Sequence, residues 1–342
     1  MGGWPALLRE LTAGRDLSTD QAAAAMAEIL DGAASSAQIA GFIVALRMKR
    51  ESVAELTGLL RAMLAAAGRV AVTDIDGMVD IVGTGGDNHQ SINVSTLAAL
   101  VVAGAGGRVC KHGNRAASSA CGSADVLEAL GVVIDLDGAG VAHCIEAAGI
   151  GFCFAPTFHA SMRHAGPTRR ELGVPTVFNS LGPMANPARV RRQVVGVSDP
   201  EMAERTAQVL AANGSERVLV VHGHDGLDEL STTTASTVHE LRDSEVWAYE
   251  LDPSLLGLEP ATLDDLRGGD ATTNAEHARR VLAGDAGPHR DIVLLNAAAG
   301  LVAAGLADDV GVGLDVARES IDTGAAAAAL DRLVKVSNQA RP

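Results

Sequence analysis

Three segments combine residue types and spacings that could do chemistry on an anionic small molecule. The run Asp80-Ile-Val-Gly83-Thr-Gly85-Gly86-Asp87 closes an apolar stretch in glycines, and Asn93-Val-Ser95-Thr96 then opens a helix near Leu97. Glycines let backbone N–H groups approach an anion, while hydroxyls and a helix N-terminus add donors. The pattern is neither GxxxxGK[ST] nor the dinucleotide fingerprint, because Gly83-Thr-Gly85-Gly86-Asp87-Asn88 lacks the sixth-position glycine. It suits a phosphate or diphosphate cradle, or else a tight turn capped by Ser95.

The second segment is Lys111-His112-Gly113-Asn114-Arg115-Ala116-Ala117-Ser118-Ser119, followed by Gly122-Ser123-Ala124-Asp125. Cations, an amide and hydroxyls in a glycine-containing loop make either a dense anion-binding set or a polar surface loop. The third, His222-Gly-His224-Asp225-Gly226-Leu227-Asp228-Glu229, sets adjacent carboxylates after a glycine turn. Such a pair suits magnesium, which joins few protein oxygens to a substrate diphosphate, or it caps a following helix. The His222/His224 spacing lacks third and fourth partners for zinc. A further stretch, His159 to Gly173, is rich in arginine, the preferred partner of a planar carboxylate; helix-surface charge is the alternative. Leu263-Asp264-Asp265 and the glycines after it form an acidic loop with no apolar strand before it, which predicts helix and turn.

Something must position these segments. Apolar runs at Met78–Val82, Arg108–Cys110, Val132–Ile134, Gly151–Phe154, Val194–Val197, Val218–Val221 and Ile292–Leu295 alternate with helical stretches, which predicts βα units on a mostly parallel sheet. Successive loops would then share one carboxyl edge of that sheet. Residues 1–68 show only helical signals, punctuated by capping boxes at Ser18/Gln21, Ser35/Gln38 and Ser52/Glu55. Between Phe158 and Pro187 the pattern is helical again. The expected fold is therefore α/β: a small all-helical domain (1–68, joined by helices around 159–187) plus a larger α/β domain (69–342) with a mostly parallel central sheet, and a ligand cleft between them.

With 342 residues, 47% of them hydrophobic, the chain can bury a large core. A net charge of −15 and 2% aromatic residues give no footprint of a nucleic-acid binder. No apolar run has membrane-spanning length, no secretory pattern opens the chain, and the four cysteines form no CxxC pair, so reduced thiols in a cytoplasmic protein are expected.

Taken in order, Gly83-Thr-Gly-Gly-Asp87, Asn93-Val-Ser95-Thr96, Lys111-His-Gly-Asn-Arg115, Gly122-Ser-Ala-Asp125, Phe178-Asn-Ser-Leu-Gly-Pro183 with Asn186-Pro187, and Gly226-Leu-Asp-Glu229 resemble the anthranilate phosphoribosyltransferases over nearly the whole chain. The resemblance implies transfer of a phosphoribosyl group from phosphoribosyl diphosphate (PRPP) to the amine of anthranilate, and a homodimer through the helical domain. It also implies that PRPP lies on Gly83, Gly86, Asp87, Ser91, Asn93, Val94, Ser95, Thr96, Lys111, Asn114, Arg115, Ala116, Ala117, Ser118, Ser119 and Ser123. Magnesium, two ions per subunit, would be held by Ser95, Asp228 and Glu229. Anthranilate would meet Gly83, Asn114 and Arg169, with His112, His159, Met162 and Pro156 along its path. No acid or base residue is obligatory, since a neutral amine is already nucleophilic. Ala160, Ser180 and Ala120-Cys121 depart from the family pattern, two of them near the acceptor path, so a related aminobenzoate is an alternative acceptor. Pyrimidine nucleoside phosphorylase is the alternative activity on the same fold.

Overall fold

A computed structural model describes residues 3–341 except 73, 88 and 117–119. The chain opens with four helices, α1 (Gly3–Thr12), α2 (Thr19–Leu30), α3 (Ser36–Lys49) and α4 (Val53–Ala66). The last three begin at the expected capping boxes, in which Ser18, Ser35 and Ser52 each accept the backbone N–H three residues on, and Gln21, Gln38 and Glu55 reach back. Glu55 does more than cap. Fully buried, it accepts Leu17 N–H and Ser52 N–H and pairs with Lys49, so one carboxylate ties three helix ends together.

The chain then runs β1 (Val79–Gly83), α5 (Val94–Gly104), β2 (Val109–Gly113), α6 (Ser123–Ala129), α7 (Gly138–Ala148) and β3 (Ile150–Phe154). A short α8 (Ala155–Phe158), a 3-10 turn (Ala160–His164), α9 (Gly166–Leu172) and α10 (Val177–Met184) carry it back against α2, α3 and α4. It returns through β4 (Arg192–Gly196), α11 (Pro200–Ala212), β5 (Arg217–Gly223), β6 (Ser236–Arg242) and β7 (Glu245–Leu251). Four helices finish it: α12 (Ala271–Leu282), α13 (Pro288–Ala304), α14 (Val310–Asp322) and α15 (Ala325–Gln339).

The seven strands lie in the order β3-β2-β1-β4-β5-β6-β7, parallel from β3 to β5 and antiparallel beyond. One core lies between the sheet and α5, α7, α13 and α15; a second joins the opposite face of β4 and β5 to α11 and the amino-terminal helices. The four cysteines are buried and form no disulfide among the described residues.

Two expected strands are corrected by the structure. Ile292–Leu295 lies inside α13, which is buried on all sides against α5, β1 and β4. A wholly buried helix has no polar face to set a period, so four apolar residues in a row do not distinguish it from a strand. Val132–Ile134 is irregular, with Val133 N–H donating to Ser337 Oγ instead of to a neighbouring strand. The β6–β7 hairpin was not expected: its turn residues Asp243 and Ser244 both have positive φ, the geometry of a two-residue hairpin turn made without glycine.

Candidate active site

β1 and β4 are parallel neighbours in the register Gly83↔Gly196, and the chain leaves them in opposite directions, toward β2 and toward β5. Their carboxyl ends therefore flank a topological switch point, where open sheets form a crevice. The loop after β5 folds back into it. Gly223 N–H donates to Leu227 O at 3.0 Å and Gly226 N–H to Gly223 O at 2.8 Å. Asp225 braces the turn from within, accepting Leu227 N–H and the hydroxyls of Ser231 and Thr233. Asn296 of α13 bonds both the N–H and the carbonyl of Leu230. So held, Asp228 and Glu229 project onto the first glycine-rich loop and the start of α5.

Asp228 Oδ2 accepts Gly85 N–H at 2.6 Å, and Glu229 Oε1 accepts Ser95 N–H at 3.2 Å. Ser95, Asp228 and Glu229 are thus brought together. The helix-cap alternative for the acid pair lapses, because the chain after Glu229 continues in bends to β6. Ser95 is not a helix cap either: Asn93 holds that position and makes no side-chain cap bond.

Burial and the nearby Asp87 carboxylate push Asp228 up to about 6, and burial together with Asp228 raises Glu229 well above the carboxylate range. Carboxylates crowded this way favour a bound cation. Lys111 offsets them only in part. The residue is 2% exposed, and its ammonium donates to Ile81 O at 2.6 Å and Ser95 Oγ at 3.3 Å. Burial lowers its pKa against the pull of Asp80 and Glu229. Among the described residues no three His, Cys, Asp or Glu surround one point. Two carboxylates and a hydroxyl, with positions left for phosphate oxygens and water, fit magnesium.

The second loop is stapled to α6. Asp125 Oδ2 accepts both Ala116 N–H and Gly122 N–H, and the Arg115 guanidinium pairs with Asp125 and Glu128 while lying 5.7 Å over the Phe154 ring. Arg115 is therefore committed to α6. Asn114 O accepts Ala124 N–H and Ser123 Oγ–H. Ala117, Ser118 and Ser119 lie outside the described residues. In the first loop Ser91 bridges to Arg267, Asp87 accepts His89 N–H, and the buried Thr96 Oγ1 has no partner among the described residues.

On the helical side, the His112 and His159 rings lie 5.1 Å apart. His159 Nε2 faces Ala185 O at 3.0 Å, while His112 Nε2 is buried without a partner among the described residues. Burial and His159 depress His112 to about 3, so it is a neutral imidazole. Arg169 stacks 5.0 Å over Phe178, and its guanidinium donates to Asn179 Oδ1 at 3.4 Å. No carboxylate pairs with it among the described residues, and burial lowers its pKa. Met162 packs into the helical core, and Pro156 is exposed on α8.

Sequence patterns did not single out several residues that shape this site. Asp80, fully buried, accepts His112 N–H and Asn186 Nδ2–H, and so joins β1, β2 and the chain returning from α10. Gly196 admits the Asp228 backbone, and Asn274 of α12 contacts Asn93. Each acts across a long sequence separation, which local spacing does not reveal.

A helical unit is thus docked on the sheet, and an acid pair faces a glycine-rich loop at the switch point. The two parts of the chain match the helical bundle domain (residues 5–67) and the a/b domain (residues 75–327) of the glycosyl transferase family. An anthranilate phosphoribosyltransferase of an Arthrobacter species is 55% identical over 98% of this chain and 96% of its own. The crystal structure of anthranilate phosphoribosyltransferase from Thermus thermophilus superposes with a TM-score of 0.92 at 43% identity, covering 97% of this chain and 99% of that one. The Saccharomyces cerevisiae enzyme in complex with PRPP and Mg gives 0.89 at 29% identity, with 98% of both chains covered. The chain belongs to the anthranilate phosphoribosyltransferase family.

Proposed function

We infer that this protein transfers the 5-phosphoribosyl group from PRPP to the amine of anthranilate, giving N-(5-phosphoribosyl)anthranilate and diphosphate, the second step from chorismate to tryptophan. The observation that carries the acceptor assignment is Arg169, a half-buried guanidinium with an aromatic ring on one face and no carboxylate of its own among the described residues. A planar carboxylate supplies the two-pronged partner such a group lacks.

In this proposal Gly83, Gly86, Asp87, Ser91, Asn93 to Thr96, Lys111, Asn114 to Ser119 and Ser123 form the donor cradle, Arg115 serving through its backbone. Ser95, Asp228 and Glu229 would hold magnesium, two ions per subunit. Held there, magnesium would supply neutralisation of the charge on the departing diphosphate. The loop N–H groups and the buried Lys111 charge favour the same charge separation, as preorganised dipoles do. Arg169 fixes the acceptor carboxylate so that the neutral amine faces ribose C1, and catalysis on that side is orientation rather than proton removal. Asn114, His112, His159, Met162 and Pro156 line the acceptor's route.

No helix among the described residues is long and apolar enough to cross a membrane, and we place the enzyme in the cytoplasm. We divide the chain at residue 68, with 159–187 assigned to the helical domain, against which those helices pack. The α1–α3 face, where Met48 is 81% exposed beside Val44, Gly41 and Leu11, forms a homodimer interface in this proposal.

Steady-state kinetics of Arg169→Ala test the acceptor assignment. KM for anthranilate should rise by about a hundredfold while KM for PRPP changes little, and Arg169→Lys should restore little. Equal increases in both would remove Arg169 from the acceptor site.

A further inference from the structure

The donor cradle is made of two loops distant in sequence, 84–93 and 114–122, and the side chain that joins them, Asn93, is itself held by a residue from neither loop. Asn274, 3% exposed in the first turn of α12, donates through Nδ2 to Asn93 Oδ1 at 2.9 Å, while its own Oδ1 accepts Gly269 N–H at 2.7 Å. Asn93 passes the contact on, its Nδ2 donating to Cys121 O at 3.1 Å. A backbone donor at one end and a backbone acceptor at the other leave a single orientation for both amides.

The segment before α12 grips the first loop as well. Ile92 N–H donates to Leu266 O at 3.0 Å, Gly268 N–H to Gln90 O at 2.8 Å, and Ser91 bridges to Arg267. The approach is close enough to require glycine: a Cβ at Gly268 would lie 2.5 Å from Asn274 Oδ1 and 3.0 Å from Ser91 O. The acidic stretch Leu263 to Gly269 is the turn expected from sequence, and it serves as a brace for loop 84–93.

We propose that Asn274 is a positioning residue for the sugar-phosphate donor, fixing the spacing between the two loops so that both meet one ligand at once. This rests on reading those loops as the PRPP cradle. A buried amide such as that of Asn274 is costly unless fully bonded, so its contact with the half-buried Asn93 holds one register or breaks. Asn274 acts through Asn93 and Cys121, and the acceptor side is untouched by it.

Asn274→Asp places an oxygen against Asn93 Oδ1. To stay bonded Asn93 must flip, which turns its oxygen onto the Cys121 carbonyl and breaks the link between the loops; unflipped, it keeps that link but faces the new carboxylate with its own oxygen and is no longer held by α12. KM for PRPP should rise about tenfold, with KM for anthranilate at saturating PRPP unchanged within about twofold and a near-native urea midpoint. Gly268→Ala, which pushes the same segment off Ser91, should give the same split and serves if Asn274→Asp fails to fold. A purely structural role would lower the active fraction and leave both KM values alone. Unchanged KM for PRPP in folded Asn274→Asp and Gly268→Ala, or equal increases for both substrates, would overturn the inference. Calorimetry with magnesium and PRPP separates the two levels. No binding by the unmodified protein would sink the cradle reading, whereas binding matched by Asn274→Asp would sink only the role of Asn274.

Discussion

The carboxylate of Asp228 occupies the space that a Cβ on Gly83 would fill, and it accepts the Gly85 N–H from that position. A Cβ on Gly196 would instead overlap the Asp228 backbone carbonyl. Two glycines at adjacent strand ends therefore admit one acid, but with different consequences. A carboxylate tip can swing aside; a backbone carbonyl moves only with its loop. Gly83→Ala should fold with a near-native melting temperature and lose about tenfold or more in turnover, while Gly196→Ala should cost about 1–3 kcal/mol of stability. Full activity in Gly83→Ala would show that Asp228 does not need this position.

The acid pair predicts opposite effects on stability and function. Asp228→Asn with Glu229→Gln removes like charges that burial and mutual repulsion already disfavour. Without magnesium the double variant should reach a higher urea midpoint than the unmodified protein. It should also require about tenfold more magnesium for half-maximal turnover. Unchanged magnesium dependence in the folded variant would take both residues out of the metal site.

His112 makes a prediction about acid stability. Its folded pKa is depressed to about 3 from 6.5, so between those values the unfolded chain binds a proton that the folded protein excludes. Stability due to this exclusion is full above pH 6.5 and is lost as pH falls toward 3. The loss approaches about 1.4 kcal/mol per pH unit within that window. Urea midpoints between about pH 7.5 and 4.5 should fall less steeply for His112→Gln, and parallel slopes would contradict the assignment.

The α1–α3 face predicts the oligomeric state. Met48→Glu puts a charge at the centre of an exposed apolar patch and should leave each subunit folded but monomeric by sedimentation. A protein that is monomeric at micromolar concentration before any substitution would remove this face as an interface.

What was legible in the sequence was local. Capping boxes declare themselves within four residues, and all three stand where the hydroxyl and amide spacing places them. The motifs at Gly83, Lys111 and Asp228 were legible as polar, glycine-containing loops at strand ends, each with a plain structural alternative, and the structure brings Gly85, Ser95, Lys111, Asp228 and Glu229 together. Contacts fixed by topology were not. Asp80 resembles any strand residue until Asn186 and His112 N–H converge on it, and Asn274 resembles any helix residue until Asn93 is beside it. The α13 strand error has the same origin, since burial on every side erases the polar periodicity that marks a helix.

The central claim is tested most directly by incubating the purified protein with PRPP, magnesium and anthranilate, and following product mass together with diphosphate release. A panel of 2-, 3- and 4-aminobenzoates and thymidine with phosphate provides the comparison. Magnesium-dependent formation of N-(5-phosphoribosyl)anthranilate, with one diphosphate released per adduct and strong preference for the 2-amino isomer, is the predicted result. Preference for another aminobenzoate, or cleavage of thymidine by phosphate with no adduct from PRPP, would contradict it.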